Sequence, residues 1–372
     1  MMISVHRESL LSALGLVSKV AVPRSPQPVL QGVKFVVTED RVTLMSTDLE
    51  IAVQVSVNLS TIDGSEEFIV FPDKFSAALR EIPDEQIKLF TDAADLVLKY
   101  SSGTFRFRRM GAEDFPKLPE FPAEGSHLFK AKVLADMLGR TVFCAGREKG
   151  RYAINGVYAV LNDGLLEMAA TDGKRLAACS INLEGAKDLP GIIIPVKLAE
   201  ILHKELNALE PDADVSFYTD TRQASFKFAN TILSGRLVEG EYPAYKSVIP
   251  KTNDKISVID REALLQACKT TLIFTDVTTK TVAFNFEPDS LTLVAYLPEI
   301  GETKRTVEVK YAGEPCTMGF NPQYLVDYLK VIESESVNFQ FSSANRAVLI
   351  TEDEDVYGMH YVLMPMQLPG RA

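Results

Sequence analysis

The chain has 372 residues, 46% hydrophobic and 24% charged, which predicts two or three globular domains with a substantial core. Its net charge of −11, if evenly spread, excludes binding to a phosphate backbone, so the distribution of Lys and Arg decides that question. Its most apolar run, Gly191-Ile192-Ile193-Ile194-Pro195, is far shorter than the roughly 20 residues of a membrane span.

Along the chain, His6, Arg7 and Glu8 stand where an export signal needs apolar residues, so no signal is expected. Residues 7–20 have the spacing of an amphipathic helix. A strand-turn signal follows at Leu44-Met45-Ser46-Thr47-Asp48. Ile69-Val70-Phe71-Pro72-Asp73-Lys74-Phe75 is a short strand running into a helix start, with an apolar stripe of Phe75, Leu79 and Ile82. Alternation at Ile87-Lys88-Leu89-Phe90 and along Thr104-Phe105-Arg106-Phe107-Arg108-Arg109 predicts strands. Phe115-Pro116 closes this first block, and a polar, proline-bearing linker spans residues 119–126.

The order then repeats. A second amphipathic helix is predicted over residues 131–143, and a strand-turn signal at Met168-Ala169-Ala170-Thr171-Asp172. Ile192-Ile193-Ile194-Pro195-Val196-Lys197-Leu198 opens a stripe of Leu198, Ile201, Leu202 and Leu206. Val215-Ser216-Phe217-Tyr218 alternates, and Tyr242-Pro243 closes the block before a linker at residues 250–255. The third block offers a helix at residues 261–273 and Met318-Gly319-Phe320-Asn321-Pro322-Gln323-Tyr324 with its stripe of Tyr324, Leu325, Tyr328 and Leu329. It ends with alternation at Val337-Asn338-Phe339-Gln340. Pro72, Pro195 and Asn321 lie about 125 residues apart, a domain-sized period. The chain therefore reads as three copies of one α+β unit, at residues 1–122, 126–250 and 252–372.

Four cysteines (Cys144, Cys179, Cys268, Cys316) and four histidines are scattered without ligand spacing. Neither a metal site nor a disulfide framework is expected, and free thiols suit a reducing cytoplasm. Basic residues gather on the presumed helices: Arg7, Lys19 and Arg24; Lys74 and Arg80; Lys132 and Arg140, then Arg147, Lys149 and Arg151; Lys197, His203 and Lys204; Arg261 and Lys269; Lys330. Acid concentrates at Glu352-Asp353-Glu354-Asp355 and Pro211-Asp212-Ala213-Asp214. This is either a bipolar field with one face for polyanions or an ordinary mixed-charge surface. Without a recognition helix or an aromatic groove, any nucleic-acid contact should be to phosphates and sequence-independent.

Five segments carry a resemblance: Ser46-Thr47-Asp48-Leu49-Glu50, Tyr152-Ala153-Ile154-Asn155-Gly156, Ala170-Thr171-Asp172-Gly173-Lys174-Arg175-Leu176, Leu237-Val238-Glu239-Gly240-Glu241-Tyr242-Pro243 and Tyr361-Val362-Leu363-Met364-Pro365-Met366. With them the chain resembles, over nearly its whole length, the bacterial β sliding clamps, the processivity subunits of replicative DNA polymerases. The resemblance implies a ring-shaped, head-to-tail homodimer of six similar domains. Helices would line a central hole around double-stranded DNA, with antiparallel sheets outside. Arg24, Arg147, Lys149, Arg151, Tyr152 and Lys197 become candidates for touching DNA. A pocket between the middle and last repeats would take short peptide motifs from polymerase, clamp loader and repair proteins. Its implied lining is Ile154, Thr171, Gly173, Lys174, Arg175, Leu176, Pro243, Val248, Asn321, Tyr324, Val362, Leu363, Met364, Pro365 and Met366. Aliphatic and methionine side chains can re-pack around different ligands, while Arg175 and Asn321 can hydrogen-bond a peptide.

The chain departs from the family at Ser247 and Gln367, where Arg is common, at Pro322 after Asn321, and in a tail over residues 369–372. Residues 362–366 can equally be a final core strand. For closure, Phe105 and Phe107 would pack on Leu272 and Ile273, with Arg106 or Arg108 facing Glu299 and Glu302; strand parity leaves the charge pairing open. Two other functions compete. An enzyme lacks support, because Thr171-Asp172-Gly173-Lys174-Arg175 offers no nucleophile with a general base and no cofactor motif occurs. A repeat-built peptide-binding adaptor that never encircles DNA is the other alternative.

Overall fold

A computed structural model describes residues 1–148, 152–276, 280–297 and 300–368. Its α-helices are α1 (Arg7–Val17), α2 (Pro72–Glu81), α3 (Ala131–Gly139), α4 (Val196–Leu206), α5 (Arg261–Leu272) and α6 (Pro322–Leu329). They begin where the sequence places them. Pro72 and Pro322 sit at the first helical turn, where a missing N–H costs nothing. The Asp260 carboxylate accepts from Ala263 N–H at 2.7 Å to cap α5, and Asn321 Oδ1 accepts from Gln323 N–H at 3.0 Å to cap α6. The predicted stripes are buried at Phe75, Leu79, Leu198, Leu202, Leu325 and Leu329, since i, i+3, i+4 spacing puts them on one helix face.

Helix ends differ from the predicted ones. The expected helix to residue 143 stops at Gly139, and a 3-10 turn covers Val142–Cys144. Gly139 is a poor helix former, and the Thr141 hydroxyl donates back to the Met137 carbonyl at 2.8 Å. Similarly, α1 ends three residues short of its predicted end, as a turn.

One local device recurs in all three repeats. The first residue of each leading helix donates its N–H to a carbonyl just before a strand: Arg7 to Glu85 at 2.8 Å, Ala131 to Ala213 at 2.9 Å, Arg261 to Glu335 at 2.9 Å. In the outer repeats the arginine side chain adds a second tie. Arg7 donates to the carbonyls of Leu79 and Asp84, and Arg261 to that of Leu329. These guanidiniums satisfy carbonyls at the ends of α2 and α6 that have no partner within the helix.

The strands pair antiparallel throughout the described ladders and make two compact bodies. One comprises residues 1–131 and 210–237, built on a 13-stranded sheet; the other, residues 132–209 and 238–372, on a 12-stranded sheet. The strands of the middle repeat are therefore divided between them. In the first body, strand Thr231–Arg236 pairs with Ile51–Asn58. In the second, His360–Leu363 pairs with Arg175–Asn182. Each body has an aromatic core: Phe35, Phe68 and Phe75 in the first, Phe284, Phe286, Phe320, Phe339 and Phe341 in the second. Among the described residues, no helix is long and apolar enough to cross a membrane.

Asp260→Ala should lower stability by about 1 kcal/mol through loss of the cap, read as a shifted denaturant midpoint. The same change at exposed Glu262, two residues on, should move it by less than about 0.5 kcal/mol.

Candidate functional site

The site grows from one turn. The Thr171 hydroxyl donates to the Arg175 carbonyl at 2.6 Å and accepts from Gly173 N–H at 3.0 Å. Asp172 Oδ1 accepts from the N–H groups of Lys174 and Arg175 at 2.9 and 3.1 Å. Gly173 has φ 85°, a left-handed conformation that glycine adopts without a Cβ penalty. The turn thus feeds strand Leu165–Thr171 into strand Arg175–Asn182 in a fixed register. His360–Leu363 pairs alongside, Leu176 opposite Val362 and Arg175 opposite Leu363. Met364 N–H continues the ladder to the Lys174 carbonyl at 3.0 Å.

Strand alternation then sorts the side chains. Leu176 and Val362 form the floor of a cavity of about 670 Å³, and Met364 stands on its rim. Its walls are Ala153, Ile154, Thr171, Gly173, Lys174 and Arg175 on one side, and Pro243, Ala244, Tyr245, Ser247 and Val248 on the other. Behind the second wall, Tyr242 stacks on Tyr158 with centroids 5.0 Å apart. Burial pushes the Tyr242 and Tyr245 phenols up, so this wall is uncharged at neutral pH. Size and apolar lining match a ligand pocket with a few polar groups at its mouth. Val248 is 55% exposed and Met364 47%, giving apolar anchors that a partner can cover.

Arg175 is committed within the protein. Its Nε donates to Asp172 at 3.1 Å, one terminal nitrogen to Asp327 at 2.8 Å and the other to the Phe143 carbonyl at 2.8 Å. The guanidinium also lies 4.4 Å from the Tyr324 ring centroid. It locks the turn onto α6 and leaves peptide hydrogen bonding to backbone and other side chains. Asn321 spends its side-chain oxygen on the helix cap.

Of the residues expected to line the pocket, Ile154, Thr171, Gly173, Lys174, Arg175, Leu176, Pro243, Val248, Val362 and Met364 surround this cavity. Asn321, Tyr324, Leu363, Pro365 and Met366 are outside its lining. Leu363 is fully buried opposite Arg175, Tyr324 lies beneath that guanidinium, and Met366 bridges to Gly319. Ala153, Ala244, Tyr245 and Ser247 were not expected. Ala153, Ala244 and Ser247 each neighbour a predicted residue in sequence; Tyr245 does not, and it shares the 3-10 helix Tyr245–Val248 with Ser247.

Three family descriptions match in order: the DNA polymerase III beta subunit N-terminal domain over residues 1–119, the central domain over 129–244 and the C-terminal domain over 246–367. The beta sliding clamp of Pseudomonas aeruginosa is 31% identical, covering 98% of this chain and 99% of its own. The chain belongs to the DNA polymerase III β sliding clamp family. It is a sliding clamp for polymerase processivity. The crystal structure of the Thermotoga maritima β subunit matches with a TM-score of 0.90 at 28% identity, covering 99% of both chains. A P. aeruginosa clamp bound to griselimycin matches with 0.90 at 30% identity, over 99% of this chain and all of that one.

In this clamp, Arg24 is exposed in the first body. Arg147 is exposed in the second and ion-pairs with Glu200, on the same helix, α4, as exposed Lys197. Lys149 and Arg151 lie outside the described residues, as does the Tyr152 side chain. Other arginines counted as basic helix face are spent internally. Arg7 and Arg261 tie helix ends, and Arg140 is 12% exposed between Glu352 at 2.9 Å and Asp355 at 3.6 Å.

In strand Gly103–Met110 the aromatic and basic side chains take opposite faces. Phe107 points inward onto Phe75, centroids 5.1 Å apart, and Phe105 stacks on Tyr100. Arg106 and Arg108 point outward and pair with Asp92 and Asp95. In the last repeat, Leu272 ends α5, Ile273 is 74% exposed and Glu302 is exposed on strand Gly301–Lys310. Glu299 lies outside the described residues. Ser247 donates its hydroxyl to the Ala244 carbonyl at 2.7 Å, shaping the pocket wall.

Arg175→Ala should cost about 3–5 kcal/mol, because it strands Asp327 and Asp172 in a partly buried setting. Arg175→Lys should cost less, since it keeps the charge but loses the fork. Chemical denaturation of both variants measures the difference.

Proposed function

We propose that two copies of this chain close head-to-tail into a ring around duplex DNA, holding the replicative polymerase to its template without catalysis or a cofactor. The repeats would be residues 1–122, 126–250 and 252–372, acting in the cytoplasm. One observation carries the reading. Within the chain, strand Ile51–Asn58 joins Thr231–Arg236, and Arg175–Asn182 joins His360–Leu363. By repeat position, the next such join would bring Gly301–Lys310 of one copy to Gly103–Met110 of another.

Each of those strands has a free side. Residues 103–108 pair only with Asp95–Tyr100, and 301–308 only with Ser290–Leu297, among the described residues. An exposed edge of that length invites aggregation unless it is covered. Mutual pairing of two such edges gives a heterologous contact that closes with two chains if each repeat turns about 60°. Phe105 and Phe107 would support the seam with Leu272 and Ile273, while Arg106 or Arg108 would face Glu299 and Glu302.

Arg24, Arg147 and Lys197, with Lys149, Arg151 and Tyr152, would meet phosphates weakly and without sequence preference, so the ring slides. The cavity floored by Leu176 and Val362 would take short apolar motifs from the polymerase, the clamp loader and repair proteins. The griselimycin-bound relative supports ligand binding within the family. The adaptor alternative shares this pocket but predicts no topological hold on DNA.

Retention on nicked circular DNA, lost once the circle is linearised, tests encirclement; equal loss from both forms would refute it. In sedimentation, Leu272→Ala/Ile273→Ala should give monomers at sub-micromolar concentration where the parent stays dimeric. Met364→Asp should weaken binding of a polymerase-derived peptide at least tenfold in titration calorimetry while leaving the dimer intact.

A further inference from the structure

The first body contains a second copy of the pocket's framework. The Thr47 hydroxyl donates to the Ile51 carbonyl at 2.7 Å and accepts from Leu49 N–H at 3.0 Å. Asp48 Oδ1 accepts from the N–H groups of Glu50 and Ile51 at 3.1 and 2.7 Å. Strand Thr231–Arg236 pairs alongside, Ala52 opposite Ser234, and Arg236 N–H reaches the Glu50 carbonyl at 2.9 Å. Bond for bond, this is the arrangement at Thr171, Asp172 and Met364.

What differs is the contents. The cavity here is about 220 Å³ against about 670 Å³. Its lining includes Leu49 and the strap Pro116, Lys117, Leu118 and Pro119. Leu49 holds the position that Gly173 fills in the open pocket, at φ 74°, a conformation uncommon for a bulky side chain, and it lines the cavity's edge while 50% exposed. Gln54 donates its side-chain amide to the Pro119 carbonyl at 2.8 Å. By register, Ala178 takes the place of Gln54 in the open pocket, and alanine has no donor to hold a strap.

We infer that the joint between the first and middle repeats is a docking pocket closed in cis, with Gln54 as the tether of the 116–119 strap and Leu49 as a half-exposed cap at its edge. Each protomer therefore presents one partner site, although its framework builds two. This rests on the reading of the open cavity as a docking site.

The test copies the open joint's own residues: Leu49→Gly, Gln54→Ala and the double variant. The probe is 8-anilinonaphthalene-1-sulfonate, counted per folded protomer by equilibrium titration, with each variant repeated in a Met364→Asp background. The parent should bind one probe per protomer and lose it with Met364→Asp. The double variant should bind two, and one should survive Met364→Asp. If the double variant, with unchanged circular dichroism and dimer content, still binds one, the closure in cis is refuted. If the parent's single site survives Met364→Asp or is missing, the docking role of the open cavity fails instead.

Discussion

Strand edges govern this molecule. A β-strand at the edge of a sheet carries a row of N–H and C=O groups that water or another strand must satisfy. Here each repeat finishes one sheet with such a row and starts the next repeat's neighbour with a matching one. Two rows meet inside the chain, at 51–55 with 231–235 and at 175–178 with 360–363. The turn chemistry at Asp48 and Asp172 sets the register of both. Everything placed beside those joins inherits its position from main-chain hydrogen bonding: the cavity floor, the arginine lock and the smaller counterpart.

Main-chain joints also explain why the side chains around them can diverge. Leu176 and Val362 at one joint become Ala52 and Ser234 at the other without any change in the ladder. The backbone supplies the geometry, and side chains decide whether a space is apolar, polar or filled. Arg175 exemplifies the second task. Its three nitrogens and its ring contacts hold α6 against the turn, so that a flexible partner can bind to a rigid wall.

Much of this was legible in the sequence. Helix starts followed from Pro72 and Asn321, and stripes at i, i+3, i+4 named the buried faces. The pocket floor followed from strand residues that a family resemblance singled out. The rest depended on tertiary partners. Arg7, Arg140 and Arg261 looked like surface charge, yet each reaches a carbonyl or carboxylate far away in sequence. Tyr245 and Ser247 enter the cavity through a 3-10 turn that has no periodic signal. Likewise, alternation put Phe105 and Phe107 on one face of their strand but carried no sign that Phe107 packs on Phe75.

The middle repeat has its strands shared between the two bodies. A repeat is thus a unit of sequence, whereas the cooperative block is a sheet that crosses the linkers. Scission at residues 119–126 or 250–255 would tear ladders apart instead of releasing an autonomous module. Hydrogen exchange should therefore report protection shared across a linker, with residues 231–235 opening alongside 51–55 and not alongside 175–178.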